Sequence, residues 1–199
     1  MNLNGMQLAA SGVGSYFRPR DVSALVSFRD LQRLVLAGDV EKLGKGLYRL
    51  NAIEATELET IAMVCSAIPN AIICLMTALS IHEIGTQSPP FVWVALDRKA
   101  RKPVRPPAMV RFVRFSGQML HYGVETRMVQ GVAVRITSPA RTVVDCFRYR
   151  NKMGMIDVAI EALRDVFRSR LATMGQLIRA ADVCRAATVM KPHLQALSV

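Results

Sequence analysis

The feature that most constrains this chain is a lysine bracketed by glycines, Gly44-Lys45-Gly46, set between two short apolar runs. Such a tripeptide is hairpin turn chemistry, so Val40 to Leu43 and Leu47 to Leu50 are predicted as paired strands. What precedes them fixes their context. Pro19 suits the first position of a helix running to about Leu25, because its missing N–H would be unpaired there in any case. Ser27 stands where an N-cap belongs, with Asp30 three residues on, a weaker relative of the capping box. The helix it opens carries Leu31, Leu34 and Val35 on one face and Arg29, Gln32 and Arg33 elsewhere, and Gly38 ends it. Helix, tight turn, helix and hairpin is the order of parts in a winged helix-turn-helix, whose second helix enters the major groove of DNA. The same parts also describe a basic, solvated corner of an ordinary α+β domain. Lys45 at the hairpin tip is suited to a phosphate contact, which gives affinity and register, whereas base edges give sequence discrimination.

The chain has 199 residues, enough for one medium domain or a small module plus a larger one, and about half of them are apolar. That leaves ample material for a core and argues against low-complexity disorder. A net charge of +11 favours a polyanionic partner, either nucleic acid or an acidic protein surface. Its distribution is uneven. Residues 1 to 50 carry seven basic and four acidic side chains, whereas residues 51 to 96 carry four glutamates and no Lys or Arg. Asp97 to Arg127 then holds eight basic against two acidic groups, and the remainder eleven against five. These changes of sign place a boundary near Asn51 and a second basic surface outside the first fifty residues. The predicted organisation is a DNA-binding domain over 1–51, a larger mixed α/β C-terminal domain over 55–187, and a frayed tail over 188–199.

Cys65, Cys74, Cys146 and Cys184 are scattered, form no Cys-x-x-Cys and have no His at ligand spacing, so neither zinc nor any other metal or cofactor is expected. Buried reduced thiols in a cytoplasmic protein are the default. The N-terminus lacks the basic region, apolar run and cleavage site of a signal peptide. Ile61 to Ile81 is very apolar, but Pro69-Asn70 interrupts it and neither half is long enough to span a bilayer.

In chain order, Met1 to Gly12 reads as a short first helix with Met6, Leu8 and Ala9 as core positions. Helices are predicted from Thr56 to Ala67 and from Ala71 to Ile84. His82 near the end of the second is read as structural, since a general base needs a positioned partner. Phe91 to Leu96 is a dense apolar strand. A proline-rich loop follows to Met109, then a strand from Val110 to Phe115 and a hairpin of Arg127 to Gln130 with Val132 to Thr137. Ser138-Pro139 is a helix start, with Val143, Val144, Cys146 and Phe147 facing a core and Arg141, Arg148 and Arg150 outside. Met155 to Phe167 is amphipathic, and Thr173 with Gln176 is a capping box opening a helix to about Ala187.

Three segments together resemble the AbiEi family of antitoxins from type IV, abortive-infection toxin–antitoxin systems. They are Leu43 to Leu50, Ala71 to Gly85 and Ile136 to Asp145, within a similarity running from about Phe17 to Leu171. The resemblance implies an N-terminal winged helix that binds double-stranded operator DNA and represses the operon. It also implies a C-terminal domain needed to neutralise a nucleotidyltransferase-like toxin, in a phage-defence setting and without catalysis. Two departures stand out: the first helix is short, and Arg18 replaces the Ser or Thr that commonly caps the next helix. Carried over, the DNA-facing positions are Arg18, Arg20, Ser27, Arg29, Gln32 and Arg33, with Lys42, Lys45 and Arg49 on the wing. Arg29 and Arg33 are the expected base readers, because a guanidinium matches the acceptor edge of guanine.

The second basic surface comprises Arg98, Lys99, Arg101, Lys102, Arg105, Arg111 and Arg114, joined by Arg141, Arg148 and Arg150. It serves DNA, a toxin or only solubility. Two other functions compete with the antitoxin. One is a winged-helix regulator with an effector pocket, lined by the Ala71–Ile84 helix, and no toxin. The other is a metal-dependent nuclease built on Asp97, which needs at least two carboxylates converging on Mg²⁺.

Overall fold

The computed structural model describes residues 4–54, 56–153 and 156–197. Among these the chain is a mixed α+β fold with nine α-helices and two sheets. It divides into two compact units, one of residues 1–71, 103–108 and 126–134, the other of residues 72–102, 109–125 and 135–199.

In the first unit, Asn4 caps α1 (Gly5–Ala10) through a capping box with Gln7. The expected start of this helix at Met1 lies outside the described residues. Leu8 is fully buried, whereas Met6, expected in the core, is 76 % exposed. β1 (Tyr16–Phe17), β2 (Val40–Gly44) and β3 (Leu47–Leu50) form an antiparallel sheet in the order β1-β3-β2. Phe17 and Tyr48 stack with ring centroids 5.9 Å apart, above a core that includes Leu8, Val22, Leu31, Leu34 and Leu50. Gly46 takes a φ of +75° in the hairpin turn, a conformation that costs glycine nothing.

The helix expected from Pro19 to Leu25 is absent. Pro19–Asp21 makes one 3-10 turn, and Val26 N–H then donates to Val22 O at 2.9 Å. The Asp21 carboxylate accepts the Arg18 N–H at 2.9 Å, so the segment is capped by a residue from within. Val22 and Val26 anchor it in the core four residues apart. So short a segment has too few backbone bonds to offset helix nucleation, and the anchors decide its shape. The next helix, α2 (Phe28–Leu36), forms as expected with Ser27 as its N-cap. After it come β2, β3 and α3 (Glu59–Ala67).

A five-stranded sheet comprises β4 (Ile72–Ile73), β5 (Val92–Asp97), β6 (Val110–Phe115), β7 (Val124–Val129) and β8 (Val132–Thr137), in the order β6-β5-β4-β8-β7. β5 and β6 are parallel, as are β4 and β8. The single helix expected over Ala71–Ile84 is instead the short strand β4 followed by α4 (Leu75–Ile81), with Leu75 at a φ of +52°. Residues from Ala71 to Leu79 are all buried, and a run without a polar face carries no period to separate strand from helix. His82 is buried, its Nε2 2.7 Å from Thr137 O.

α5 (Pro139–Arg148) is buried from Ala140 through Phe147 and packs with α4, α6 (Arg150–Met153), α7 (Ile156–Arg168), α8 (Met174–Val183) and α9 (Ala187–Ala196). Met155, the expected start of the amphipathic helix, lies outside the described residues. Thr173 and Gln176 make the predicted capping box on α8. The segment expected as a frayed tail is α9, held by fully buried Met190 and packed through Leu194. All four cysteines are free and buried. No described helix is long and apolar enough to cross a membrane.

Candidate nucleic-acid interface

α2 offers its outer face because its inner face is fixed. Leu31 and Leu34 enter the core of the first unit, which turns Phe28, Arg29, Gln32, Arg33 and Leu36 away from it. Ser27 is spent on the cap: its Oγ accepts the Asp30 N–H at 3.2 Å and donates to Asp30 Oδ2 at 2.6 Å. The other carboxylate oxygen accepts Arg33 Nη1 at 3.1 Å. An exposed pair of this kind is worth under about 1 kcal/mol, so Arg33 is held but not withdrawn. Arg29 is exposed and enters no ion pair among the described residues. Gln32 is half-buried beside it.

On the hairpin, Lys42 and Lys45 are exposed, Lys45 at the tip next to Gly46. Arg49 is different. It lies opposite Glu41 across the ladder, its Nη2 is 3.1 Å from Glu59 of α3, and its Nε is buried without a hydrogen-bond partner. Tyr16 donates to the same Glu59 carboxylate at 2.5 Å. Burial, then that hydrogen bond, holds the Tyr16 hydroxyl above its ordinary pKa, so it stays a donor. Arg49 is therefore a tie between β3 and α3 more than a free cation. Arg18 is paired with Asp21 at 3.3 Å, and Arg20, more exposed, reaches the same carboxylate at 3.7 Å.

The residues assigned to a second basic surface separate into two kinds. Arg98, Lys99, Arg101, Lys102, Arg105 and Arg111 are exposed. Arg105 belongs with the first unit and the other five with the second. Arg111 lies over the Phe91 ring at 3.8 Å, and Lys102 over Phe112 at 5.7 Å. Arg114, Arg148 and Arg150 are half-buried and engaged with backbone carbonyls. Arg114 Nη1 donates to Asp97 O and Ala100 O, both at 2.7 Å, Arg150 to Phe147 O at 3.0 Å, and Arg148 to Cys184 O. Arg141 is a correction. It is 0 % exposed, paired with Asp145 at 2.9 Å, and donates to Tyr122 O at 2.7 Å and Met119 O at 3.2 Å. A helix buried all round has no outside for an arginine at that position.

For the nuclease reading, the Asp97 Oδ1 accepts the Lys99 N–H at 2.6 Å, an interaction within its own turn. No group of three or more His, Cys, Asp or Glu suited to a metal occurs among the described residues.

Two residues not assigned to the DNA-facing surface from the sequence shape the site, one of them, Glu59, weighed there with Glu54, Glu57 and Glu83 only as a metal carboxylate beside Asp97. Glu59 organises Arg49 and Tyr16, and its sequence carries no signal of that. Phe28 is 68 % exposed at the start of α2, although its spacing from Leu31 and Val35 would put it with the apolar stripe. The chain matches no family model and no curated protein.

Proposed function

We propose that this chain is a non-catalytic antitoxin of the type IV, abortive-infection kind, which also represses its own operon by binding operator DNA. In this reading the first unit is a winged helix-turn-helix whose helix before the turn is reduced to the 3-10 turn Pro19–Asp21, α2 enters the major groove, and Lys45 meets a phosphate from the hairpin tip. The second unit supplies neutralisation of a nucleotidyltransferase-like toxin in the cytoplasm. The single observation that supports it most is the exposure, on α2 and the hairpin that follows, of Arg29, Lys42 and Lys45, cations with no ion pair among the described residues. The elements bearing them are fixed by a core on their other side. A helix followed by a basic hairpin matches the parts that dock on a duplex.

The test is in two arms. Co-expression with the adjacent gene asks whether the full chain restores growth; a toxic neighbour that the chain fails to relieve overturns the antitoxin. Titration of the DNA upstream of the operon asks for a salt-dependent complex. Lys45→Ala is expected to weaken binding to every sequence alike and to lower the slope of log K against log salt by about one. Absence of any complex overturns the repressor.

A further inference from the structure

The outer face of α2 carries a largely exposed aromatic ring. Phe28 occupies the first position of this nine-residue helix and is 68 % exposed, while the inner face is filled by Leu31 and Leu34. Single exposed apolar residues are ordinary, so exposure alone says little. The setting of Phe28 says more. Arg29 is next to it, exposed and without an ion pair among the described residues. The carboxylate of Asp30 is occupied by Ser27 Oγ and Arg33 and does not repel a polyanion freely. Lys42 and Lys45 stand on the hairpin that follows. A second copy seated on this face would set these cations against their equals, whereas a polyanion is complementary to them.

In a groove-reading helix it is the first turn that reaches base edges. The thymine C5 methyl is the one apolar feature in the major groove, and phenylalanine is among the side chains that contact it. Leu36, the other exposed apolar residue of this face, lies about 12 Å further along the axis, where such a helix has left the bases. We propose that Phe28 reads a thymine methyl in the operator, next to the guanine contacted by Arg29. This rests on the DNA-binding reading given above and adds to it a chemical identity for one base.

The experiment uses the full chain and the DNA upstream of its own operon, made once with thymidine and once with deoxyuridine, which lacks only the methyl. Binding is read by fluorescence anisotropy. The wild type is expected to bind the uridine duplex about fourfold more weakly, the effect of leaving one methyl-sized group out of the contact. Phe28→Ala should show the same loss on thymidine DNA and no further loss on uridine DNA, while Phe28→Leu keeps part of the preference. Because the ring is exposed, Phe28→Ala should melt at the wild-type temperature, which separates a lost contact from a lost fold. Salt-sensitive binding that ignores the methyl, or that Phe28→Ala leaves intact, overturns the proposal and spares the DNA-binding reading. No binding to either duplex overturns both.

Discussion

Arg141 and Asp145 show at the scale of single residues how a charge is kept in the core. They sit four apart on a helix whose whole middle is buried, and both are 0 % exposed. The guanidinium is satisfied by one carboxylate oxygen, two carbonyls and the face of Phe115 at 4.7 Å. The other carboxylate oxygen, Oδ1, has no conventional hydrogen-bond partner, and the Cys184 thiol is its neighbour. Removing one partner strands the other charge, so Asp145→Ala should cost about 3–5 kcal/mol in urea unfolding. The double variant Arg141→Met with Asp145→Leu should lose less than the sum of the singles. Burial raises the Asp145 pKa from its ordinary 3.8 to about 6, against the pull of Arg141. The folded chain then holds this proton more tightly than the unfolded one. Its stabilising effect is full below about pH 3.8 and is lost as pH rises through about 6. Wild-type stability measured against Asp145→Asn should accordingly fall across that window, and a flat difference contradicts the assignment.

Among the elements, those with a local cause were legible and those with a distant cause were not. The hairpin was marked by Gly44 and Gly46, α5 by Pro139 and α8 by Thr173 and Gln176, each acting within a few residues of itself. β4 escaped because its neighbours in the sheet, not its own period, make it a strand. α9 escaped because Pro192 lies inside it, and the packing of Met190 and Leu194 against the core holds the helix across that proline. At the candidate site the exposed cations of α2 and the wing were legible as charges on a predicted face, while the retirement of Arg49 and Arg141 into ion pairs depended on partners brought in by the fold. The clearest distant cause is a pair of glycines. Gly14 and Gly131 approach so closely that a Cβ built on Gly14 would lie 2.7 Å from the carbonyl carbon of Gly131. Ser15 N–H donates to Gln130 O at 2.8 Å beside them. Backbone cannot move aside as a side chain does, so Gly14→Ala should destabilise the protein by about 1–3 kcal/mol in thermal unfolding. Gly44→Ala, with open space around it, is the control and should change little.

At the scale of the whole molecule, the edge of the proposed DNA-binding part is set by more than charge. Charge alone marks a boundary near Asn51, and every cation of α2 and the wing lies before it. The first compact unit nevertheless extends to residue 71 and takes in residues 126–134. The reasons are specific. Tyr16 and Arg49 both end on Glu59, Ser66 Oγ donates to Tyr16 O at 2.8 Å, and Ser15 N–H donates to Gln130 O at 2.8 Å. Each such bond contributes about 1 kcal/mol net, and a severed one leaves a buried group unsatisfied at a cost of about 1–3 kcal/mol. Against a total stability of about 5–15 kcal/mol for a natural domain, losing them together with α3 removes most of the margin. A fragment of residues 1–51 is therefore expected to show no cooperative thermal transition by circular dichroism and to bind operator DNA at least tenfold more weakly than the full chain. Weak binding by that fragment would then reflect a wing and helix no longer held in register, and would not count against DNA recognition by the intact protein. A cooperative transition near the full-chain midpoint would show that α3 and residues 126–134 are dispensable to the first unit, and that the change of charge at Asn51 marks the true edge of the module.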